Sequence, residues 1–329
     1  MPKPRPNQKA RLKGPIKRYI QLEKNKQINA GVRELEKFYQ TKGREELRLR
    51  KNSVQYLEFL TAAKYLEKYL PPASRVLDSC AGSGIYAFHL ADAGHKVYAG
   101  DLVAYNVETM VAKNQHRAAK NARARRDSMP NRADEDVGGI WDGRDGRDLG
   151  DGRDVAPNRA DEAGLTEIFC GDALHLPQFA DESFQAVLCM GALYHLYEAQ
   201  KRKQALVESM RLLGSGGLFF CTYMSRFGVV LQNAQGNLNN VSGLIEFIHN
   251  GRKGIFYAST PAEMENLLAE VGFTKLCHVA LDGIVTFLHQ TGRISQTGLE
   301  AWAQYHFASC EEPSLLGYSC HNLLVAQKP

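Results

Sequence analysis

The chain has 329 residues, of which 44% are hydrophobic and 23% charged, with a formal net charge of +5. This length can bury one large α/β core with additional elements. No apolar run approaches the roughly 20 residues of a transmembrane helix, and the N-terminus lacks the apolar region of a signal peptide. The seven cysteines form no Cys-x-x-Cys pair, which argues against a disulfide framework. We therefore expect a cytoplasmic protein without membrane association.

The first segment of the chain is strongly basic. Residues 1–26 contain nine Lys or Arg and one acid, Glu23, whereas the remaining chain carries 32 basic and 35 acidic residues. Four prolines in this segment favour disorder. Such an arm can follow a phosphate backbone, but no aromatic residues alternate with its first charges, as they often do in single-strand binders. Nucleic-acid binding and a solvated terminal segment both stay open.

Residues 27–70 are predicted to form helices, because apolar residues recur there at helical spacing. Leu35, Phe38 and Tyr39 share one such face. The pair Pro71-Pro72 ends the second helix, since proline cannot continue it. We interpret this segment as a helical cover in front of a larger domain at 71–329.

Residues 75–101 carry the most specific pattern in the chain. A short apolar run ends at Asp78, a turn with Gly82 and Gly84 follows, and an amphipathic stretch leads to a second apolar run that ends at Asp101. This order predicts strand, glycine turn, helix and strand, which is one parallel βαβ unit. The glycines allow a ligand to approach the backbone, and the helix N-terminus offers free N–H groups.

Two kinds of nucleotide ligand fit this unit at first sight. Residues 82–87, GSGIYA, satisfy the G-x-G-x-x-A pattern of dinucleotide sites, and Asp101 lies where a ribose-binding carboxylate is expected. Asp78, however, would stand close to the pyrophosphate of a dinucleotide, and like charges there weaken binding. The same carboxylate suits a ligand with a cationic end, such as S-adenosylmethionine.

The sequence VLDSCAGSG at 76–84 resembles motif I of class I S-adenosylmethionine-dependent methyltransferases, and VYAGDL at 97–102 resembles their motif II. The resemblance implies that Asp78, Gly82 and Gly84 hold the amino-acid end of the cofactor and that Asp101 holds the ribose. Cys80 departs from the family pattern, because it stands where the first of three alternating glycines is usual. The other members of the predicted cofactor-binding set are Cys80, Leu102, Asp172, Ala173 and Met190.

Later segments resemble the family in the expected order. Residues 167–177 resemble the third strand and its turn, where Asp172 would accept from the adenine amino group and Ala173 would offer its backbone N–H. Residues 184–196 resemble the fourth strand and the loop after it. Residues 205–217 resemble the helix and glycine turn before a fifth strand at 218–223. In related enzymes helices such as those at 27–70 cover the cofactor, so Tyr39, Arg48 and Tyr56 are candidate lid contacts.

His195 and Tyr194 are the candidate catalytic residues. They follow the fourth strand, at the edge where ligands bind in open α/β sheets. A methyl acceptor needs in-line positioning and, for a hydroxyl or a protonated amine, removal of a proton. An imidazole can accept that proton. It can equally order the loop or contact the cofactor, and Tyr194 can line the acceptor pocket.

Residues 120–164 form a low-complexity segment. The sequence PNRADE occurs at 130–135 and again at 157–162, and DGRD recurs between them. This composition buries too little apolar surface to offset the entropy of ordering, so we expect a disordered insertion without a catalytic role.

The last third of the chain is predicted to determine the acceptor. An apolar insertion at 225–258 would cover the pocket as a lid. Thr260 and Glu263 form a capping box before a helix that ends at Val271, and strands follow at 274–280 and 322–326. His306, Cys310, Cys320 and His321 are residues that zinc accepts. Neighbouring strand residues point to opposite faces, so we expect no metal site.

The expected architecture is an α/β, doubly wound, mostly parallel sheet of seven strands, a Rossmann-like methyltransferase with a helical cover and a lid after strand five. No Asn/Asp-Pro-Pro-aromatic motif follows the fourth strand, which disfavours enzymes that methylate base amino groups. We therefore expect methyl transfer to an oxygen or nitrogen of a small molecule. An RNA methyltransferase that uses the basic arm, and a cofactor-binding module without transfer activity, remain alternatives.

Overall fold

We describe the protein from a computed structural model, which covers residues 30–41, 49, 55–128, 164–234, 241–290 and 299–329. The strands are β1 Arg75–Asp78, β2 Lys96–Asp101, β3 Glu167–Cys170, β4 Phe184–Cys189, β5 Leu213–Ser225, β6 Arg252–Lys253, β7 Phe256–Ser259, β8 Thr274–Ala280 and β9 His321–Gln327. They form one mixed sheet, in which a path β3-β2-β1-β4-β5-β7-β6 is joined by β9, which pairs with β5 and β8.

Ten α-helices are described, and most of them pack against this sheet. They are α1 Ala30–Thr41, α2 Gln55–Tyr69, α3 Ile85–Asp92, α4 Ala104–Ser128, α5 Ala199–Leu212, α6 Arg226–Ala234, α7 Val241–Asn250, α8 Pro261–Val271, α9 Val285–Gln290 and α10 Leu299–Ser309. Short 3₁₀ helices lie at Leu193–His195 and Pro313–Tyr318.

The centre of the sheet is parallel, as the sequence predicts. β1 pairs in parallel with β2 on one side and β4 on the other, and Val76 and Leu77 in β1 are fully buried. Strands buried on both faces read as continuous apolar runs, because helices cover each side of a parallel sheet. The carboxyl ends of β1, β2 and β4 therefore meet at one edge, where Asp78 and Asp101 both lie.

The sheet has two strands more than the seven expected. β6 and β7 form a hairpin inside the segment interpreted as an apolar lid, and β7 pairs in parallel with Met224 and Ser225 of β5. β9 runs antiparallel along the other side of β5. The hairpin therefore lies on the β4 side of β5, beyond the end of β4. The sequence pattern missed it because each of its strands has at most four residues.

Local signals in the last third are confirmed. The Thr260 hydroxyl accepts from the Glu263 backbone N–H, Pro261 occupies the first turn, and Gly272 ends α8 in the left-handed conformation. β8 has the predicted bounds. β5 begins at Leu213, earlier than the predicted 218, because its pairing with β4 continues across an irregularity at the glycines before Leu218.

The structure describes part of the predicted insertion and none of the basic arm. Residues 120–128, assigned from the sequence to the disordered insertion, belong to helix α4, so the insertion begins later than expected. The remainder of it, 129–163, and the basic arm at 1–26 lie outside the described residues. Within the described residues, no helix is long and apolar enough to cross a membrane.

Candidate functional site

A cavity of about 460 Å³ opens at the carboxyl ends of β1, β2 and β4. Its lining brings together nearly every residue that the sequence proposed for the site. They are Asp78, Cys80, Gly82, Asp101, Leu102, Asp172, Ala173, Met190, Tyr194 and His195. A volume of several hundred Å³ is typical of small-ligand sites. Gly84 is the exception, because it does not line the cavity.

The two glycines of the turn, Gly82 and Gly84, have different structural roles. Both adopt left-handed conformations, with φ of +56° at Gly82 and +85° at Gly84. A Cβ on Gly84 would stand 3.0 Å from side-chain atoms of Met110 and Phe88, whereas a Cβ on Gly82 would meet no atom within 4 Å. Gly84 thus permits packing and Gly82 faces open space. Cys80 is not among the described residues with positive φ, so its Cβ imposes no strain.

Asp78 is the most unusual group at this edge. Its side chain is 1% exposed, and one carboxylate oxygen, Oδ1, has no hydrogen-bond partner among the described residues. Burial raises the pKa of Asp78 to about 7, the backbone N–H of Cys80 opposes this rise, and the neighbouring Asp101 adds to it. A buried carboxylate without a partner is costly, so the site is built to receive a cationic or hydrogen-donating group.

Asp101 joins the glycine turn to the end of β2. Its Oδ2 accepts from the Gly82 backbone N–H at 2.8 Å, and its Oδ1 accepts from the Val103 backbone N–H at 2.8 Å and from Asn106 Nδ2 at 3.1 Å. A carboxylate has about four acceptor positions. These bonds hold the carboxylate in place beside the glycine turn.

Asp172 stands at the far rim of the cavity. It is exposed, and its Oδ1 accepts from the Leu174 backbone N–H at 3.0 Å. Ala173 lies beside it in the same turn, and Met190 is buried at the end of β4. The predicted adenine, ribose and amino-acid contacts therefore follow one another along the edge from β3 to β1.

His195 has a defined tautomer. Its Nδ1 lies 3.0 Å from the backbone oxygen of Ile255, which can only accept, so Nδ1 carries the proton. Nε2 then accepts from the Tyr39 hydroxyl at 2.9 Å. Burial lowers the pKa of His195 to about 4, although the Ile255 carbonyl favours the charged form. The imidazole is consequently neutral at ordinary pH and both nitrogens are engaged.

Tyr194 links the cofactor turn to the opposite wall. A Cβ on Gly191 would make ordinary van der Waals contact with the Tyr194 hydroxyl at 3.6 Å and with the Cys80 carbonyl oxygen at 3.4 Å, so Tyr194 and the cofactor turn both lie next to this residue. The Tyr194 ring packs edge-on against His195, with centroids 4.8 Å apart, and lies 6.4 Å from the His321 ring.

The cavity also contains residues that sequence reasoning missed. Glu58 from α2, Thr222 from β5 and Ile255 from the β6–β7 turn line it. One feature of the sequence could have indicated Glu58, because it is a charged residue within an apolar face of a predicted helix. No sequence feature could have indicated Thr222 and Ile255, because only tertiary contacts bring them to the cavity. Of the three lid candidates, Tyr39 lines the cavity, Tyr56 is exposed outside it, and Arg48 lies outside the described residues.

The four candidate zinc ligands are not brought together. His306 Nε2 contacts the Thr61 hydroxyl at 3.1 Å, and Cys310 Sγ lies 3.4 Å from the Tyr65 hydroxyl.

Cys320 and His321 do share a cluster, however, which corrects the argument that neighbouring strand residues cannot. Their ligand atoms lie within 4.8 Å of each other and of Asp282. Cys320 precedes β9, so the strand alternation does not apply to it.

Comparisons with known proteins give one family match and several structural likenesses. The sequence of residues 150–221 matches the family described as a methyltransferase domain. Magnesium protoporphyrin IX methyltransferase from Synechocystis PCC 6803, solved with bound S-adenosylhomocysteine, is similar in structure with a TM-score of 0.51 and 13% identity, and the alignment covers 90% of this chain and 98% of that chain. A possible histamine N-methyltransferase from Thermotoga maritima aligns with a TM-score of 0.47 and 16% identity over 91% and 100% of the two chains.

A methyltransferase from Methanosarcina mazei aligns with a TM-score of 0.46 and 16% identity, over 80% of this chain and 96% of that one. No sequence among curated proteins matches the chain. The Synechocystis likeness shows the Rossmann-like methyltransferase fold. Together, the family match at 150–221 and this fold support a class I S-adenosylmethionine-dependent methyltransferase.

The residues present fit S-adenosylmethionine. The unpartnered Oδ1 of Asp78 suits an ammonium group, the open space beside Gly82 admits a ligand against the backbone, and Asp101 stands at the position of a ribose contact. When bound, S-adenosylmethionine supplies an electrophilic methyl group on a positively charged sulfur.

Proposed function

We propose that the protein methylates an oxygen or nitrogen atom of a small-molecule acceptor. The observation that carries this proposal is the extent of the cavity. It continues from Asp101 and Asp172 past Asp78 to Glu58 and Thr222, so one space contains the predicted cofactor residues and further polar groups beyond them. The β6–β7 turn and α1 contribute Ile255 and Tyr39 to its wall, which favours an acceptor that enters the cavity.

In this proposal the cofactor residues act along the edge of the sheet. Asp78 with the glycine turn binds the amino-acid end, Asp101 and Leu102 bind the ribose, and Asp172 with Ala173 binds the adenine. Cys80 and Met190 complete the walls. These residues fix the donor in one orientation, which is the main requirement of methyl transfer to a well-placed nucleophile.

His195 and Tyr39 then act on the acceptor as a pair. Because the imidazole is neutral and its Nε2 accepts from the Tyr39 hydroxyl, His195 orients that hydroxyl. The low pKa of His195 opposes storage of a proton there. The geometry therefore supports a positioning role for His195 over a role as general base, and Tyr194 contributes an aromatic wall.

The cofactor part of the proposal is tested by calorimetric titration of the full-length protein with S-adenosylhomocysteine and, separately, with NAD. We expect binding of S-adenosylhomocysteine that is weakened in Asp101→Asn, and no binding of NAD. Binding of NAD alone would contradict the role given to Asp78.

The acceptor part is tested with S-adenosylmethionine labelled on its methyl group. The enzyme is incubated with the small-molecule fraction and, in parallel, with the RNA fraction of a cell extract. Label in the small-molecule fraction supports the proposal. Label in RNA that disappears on deletion of residues 1–26 would favour the RNA methyltransferase, and binding without any transfer would favour a cofactor-binding module.

A further inference from the structure

Glu58 is a buried carboxylate in the cavity wall. It belongs to α2, whose inward face also carries Leu57, Ala62 and Leu66, and it is 6% exposed. Burying a carboxylate costs free energy unless charged or hydrogen-bonding groups compensate. The Glu58 carboxylate therefore requires compensating groups around it.

His321 connects Glu58 to a second buried carboxylate. Its Nδ1 lies 3.5 Å from Glu58 Oε2 and 3.2 Å from Asp282 Oδ2. Asp282 is fixed in turn, because its Oδ1 accepts from the Ser319 hydroxyl at 2.6 Å and the Cys320 backbone N–H at 2.8 Å. Burial alone would lower the pKa of His321, but the Glu58 and Asp282 carboxylates hold it well above its usual range.

The position of His321 in the sheet shows which end of the cavity Glu58 occupies. In the order β3-β2-β1-β4-β5, with β9 beside β5, the proposed adenine and ribose contacts follow β3 and β2, and Asp78 ends β1. His321 begins β9, on the opposite side of the cavity. The Tyr194 ring stands between His321 and the cofactor turn. Glu58 is thus at the end of the cavity that the cofactor contacts leave for the acceptor.

We propose that Glu58 recognises the acceptor by accepting a hydrogen bond from its N–H or O–H group, and that His321, held by Asp282, positions the Glu58 carboxylate. This inference rests on the proposed function, because it assigns the acceptor end of the same cavity. A carboxylate can accept on both of its oxygens and does not donate when ionised, and Oε2 is the oxygen that lies nearest to His321. The acceptor class is then a small amine or alcohol, and anionic groups are disfavoured at this wall.

His195 does not offer an equivalent group. Its Nδ1 donates to the Ile255 carbonyl and its Nε2 receives the Tyr39 hydroxyl proton. Glu58 differs from His195 because it bears a carboxylate, which lies 3.5 Å from the imidazole of His321 on strand β9. Selection among acceptors therefore falls to Glu58, while His195 orders the opposite wall.

Three small probes of matched size test the proposal on the full-length protein saturated with S-adenosylhomocysteine. Benzylamine and benzyl alcohol present donors, and benzoate presents an anion. Their dissociation constants are measured by ligand-observed NMR titration on wild type, Glu58→Gln, Glu58→Asp, His321→Gln and Glu67→Gln. Glu67 is the matched control, since it lies on the same helix, pairs with His89 at 3.1 Å and is exposed outside the cavity.

We expect benzylamine to bind most tightly and benzoate most weakly. Glu58→Gln should weaken benzylamine by roughly tenfold or more, Glu58→Asp should restore part of the loss, and His321→Gln should cause a smaller loss. Glu67→Gln should match wild type. Calorimetry with S-adenosylhomocysteine should be unchanged in all four variants, which excludes misfolding as the cause.

The outcomes separate this inference from the function on which it rests. If wild type binds S-adenosylhomocysteine but shows no preference for benzylamine over benzoate, or if Glu58→Gln and Glu67→Gln behave alike, the role of Glu58 is wrong and the proposed function stands. If wild type does not bind S-adenosylhomocysteine, the proposed function itself fails, whatever the probes do.

Discussion

The two ends of the cavity are built from the chain in different ways. At the cofactor end, Asp78, Gly82 and Asp101 come from one continuous βαβ unit, and Asp101 is bonded directly to the Gly82 backbone. At the acceptor end, Glu58 meets His321 from the opposite end of the chain. The first arrangement depends on local backbone geometry, whereas the second depends on the whole sheet being assembled. The two ends should therefore respond differently to substitution.

The largest effect is expected from Asp78→Asn. Removing the negative charge should weaken S-adenosylhomocysteine by on the order of 100-fold, because a desolvated charged contact is lost. Above pH 7 the same change should stabilise the ligand-free protein, because it removes a buried negative charge close to Asp101. Calorimetry and thermal unfolding measure the two effects.

Asp92→Asn is the matched control for that prediction. Asp92 is the last residue of α3, the helix that follows the glycine turn; it is half exposed and pairs with Arg117. Its loss should leave affinity unchanged and stability within about 0.5 kcal/mol. Equal behaviour of the two variants would remove the special role of Asp78 at the cofactor end.

A pH dependence of cofactor binding is the next largest effect. Burial raises the pKa of Asp78 to about 7 in the ligand-free protein, so lowering the pH through 7 protonates the group that would bind the ammonium. Affinity for S-adenosylhomocysteine should then fall roughly tenfold per pH unit below 7. Calorimetry between pH 8 and pH 5.5 tests this, and a flat profile in Asp78→Asn is the matching observation.

Asp78 should affect the stability of the ligand-free protein in the opposite direction, with stability rising as the pH falls. Because the folded pKa of Asp78 lies above its unfolded value near 3.8, the folded state binds the extra proton. The stabilising contribution of Asp78 to the folded state is fully present below about pH 4 and is lost as the pH rises through 7. The contribution of His195 to the free energy of unfolding changes with pH in the opposite direction, since its folded pKa of about 4 lies below the unfolded value. Its contribution is present above about 6.5 and is lost as pH falls through 4.

The cofactor end of the cavity could be predicted from the sequence, whereas the acceptor end could not. The Asp78 motif and the capping box at Thr260 were predictable, because each depends on residues a few positions apart and on turn geometry that few residues allow. Glu58 was not, because its meaning depends on His321, 263 positions later in the chain. The β6–β7 hairpin was missed for a related reason, since its short strands are stabilised by pairing with the distant β5.

Gly82→Ala and Gly84→Ala compare two roles within one turn. Both residues have positive φ, so each substitution carries backbone strain of about 1 kcal/mol or more. Gly84→Ala also places a methyl group 3.0 Å from Met110 and Phe88, which should raise its total cost in unfolding free energy to roughly 2–4 kcal/mol. Gly82→Ala should cost less in stability, and its methyl group should weaken S-adenosylhomocysteine binding instead. Chemical denaturation and calorimetry separate them. Equal stability losses would contradict the packing role of Gly84.

The smallest effect is expected from Tyr39→Phe at the acceptor end. The variant removes the hydroxyl that donates to His195 Nε2 and leaves the ring in place against Phe38. Loss of one partly buried hydrogen bond should cost about 1 kcal/mol, and S-adenosylhomocysteine should bind as in wild type, because Tyr39 is not among the proposed cofactor contacts. The pKa of His195 should rise, since the lost donor stabilised the neutral imidazole. NMR titration of the His195 ring protons follows this rise, with exposed Tyr56→Phe as the control. A Tyr39→Phe variant with unchanged His195 titration would show that the two side chains do not form a pair in solution, and the acceptor end would then rest on Glu58 alone.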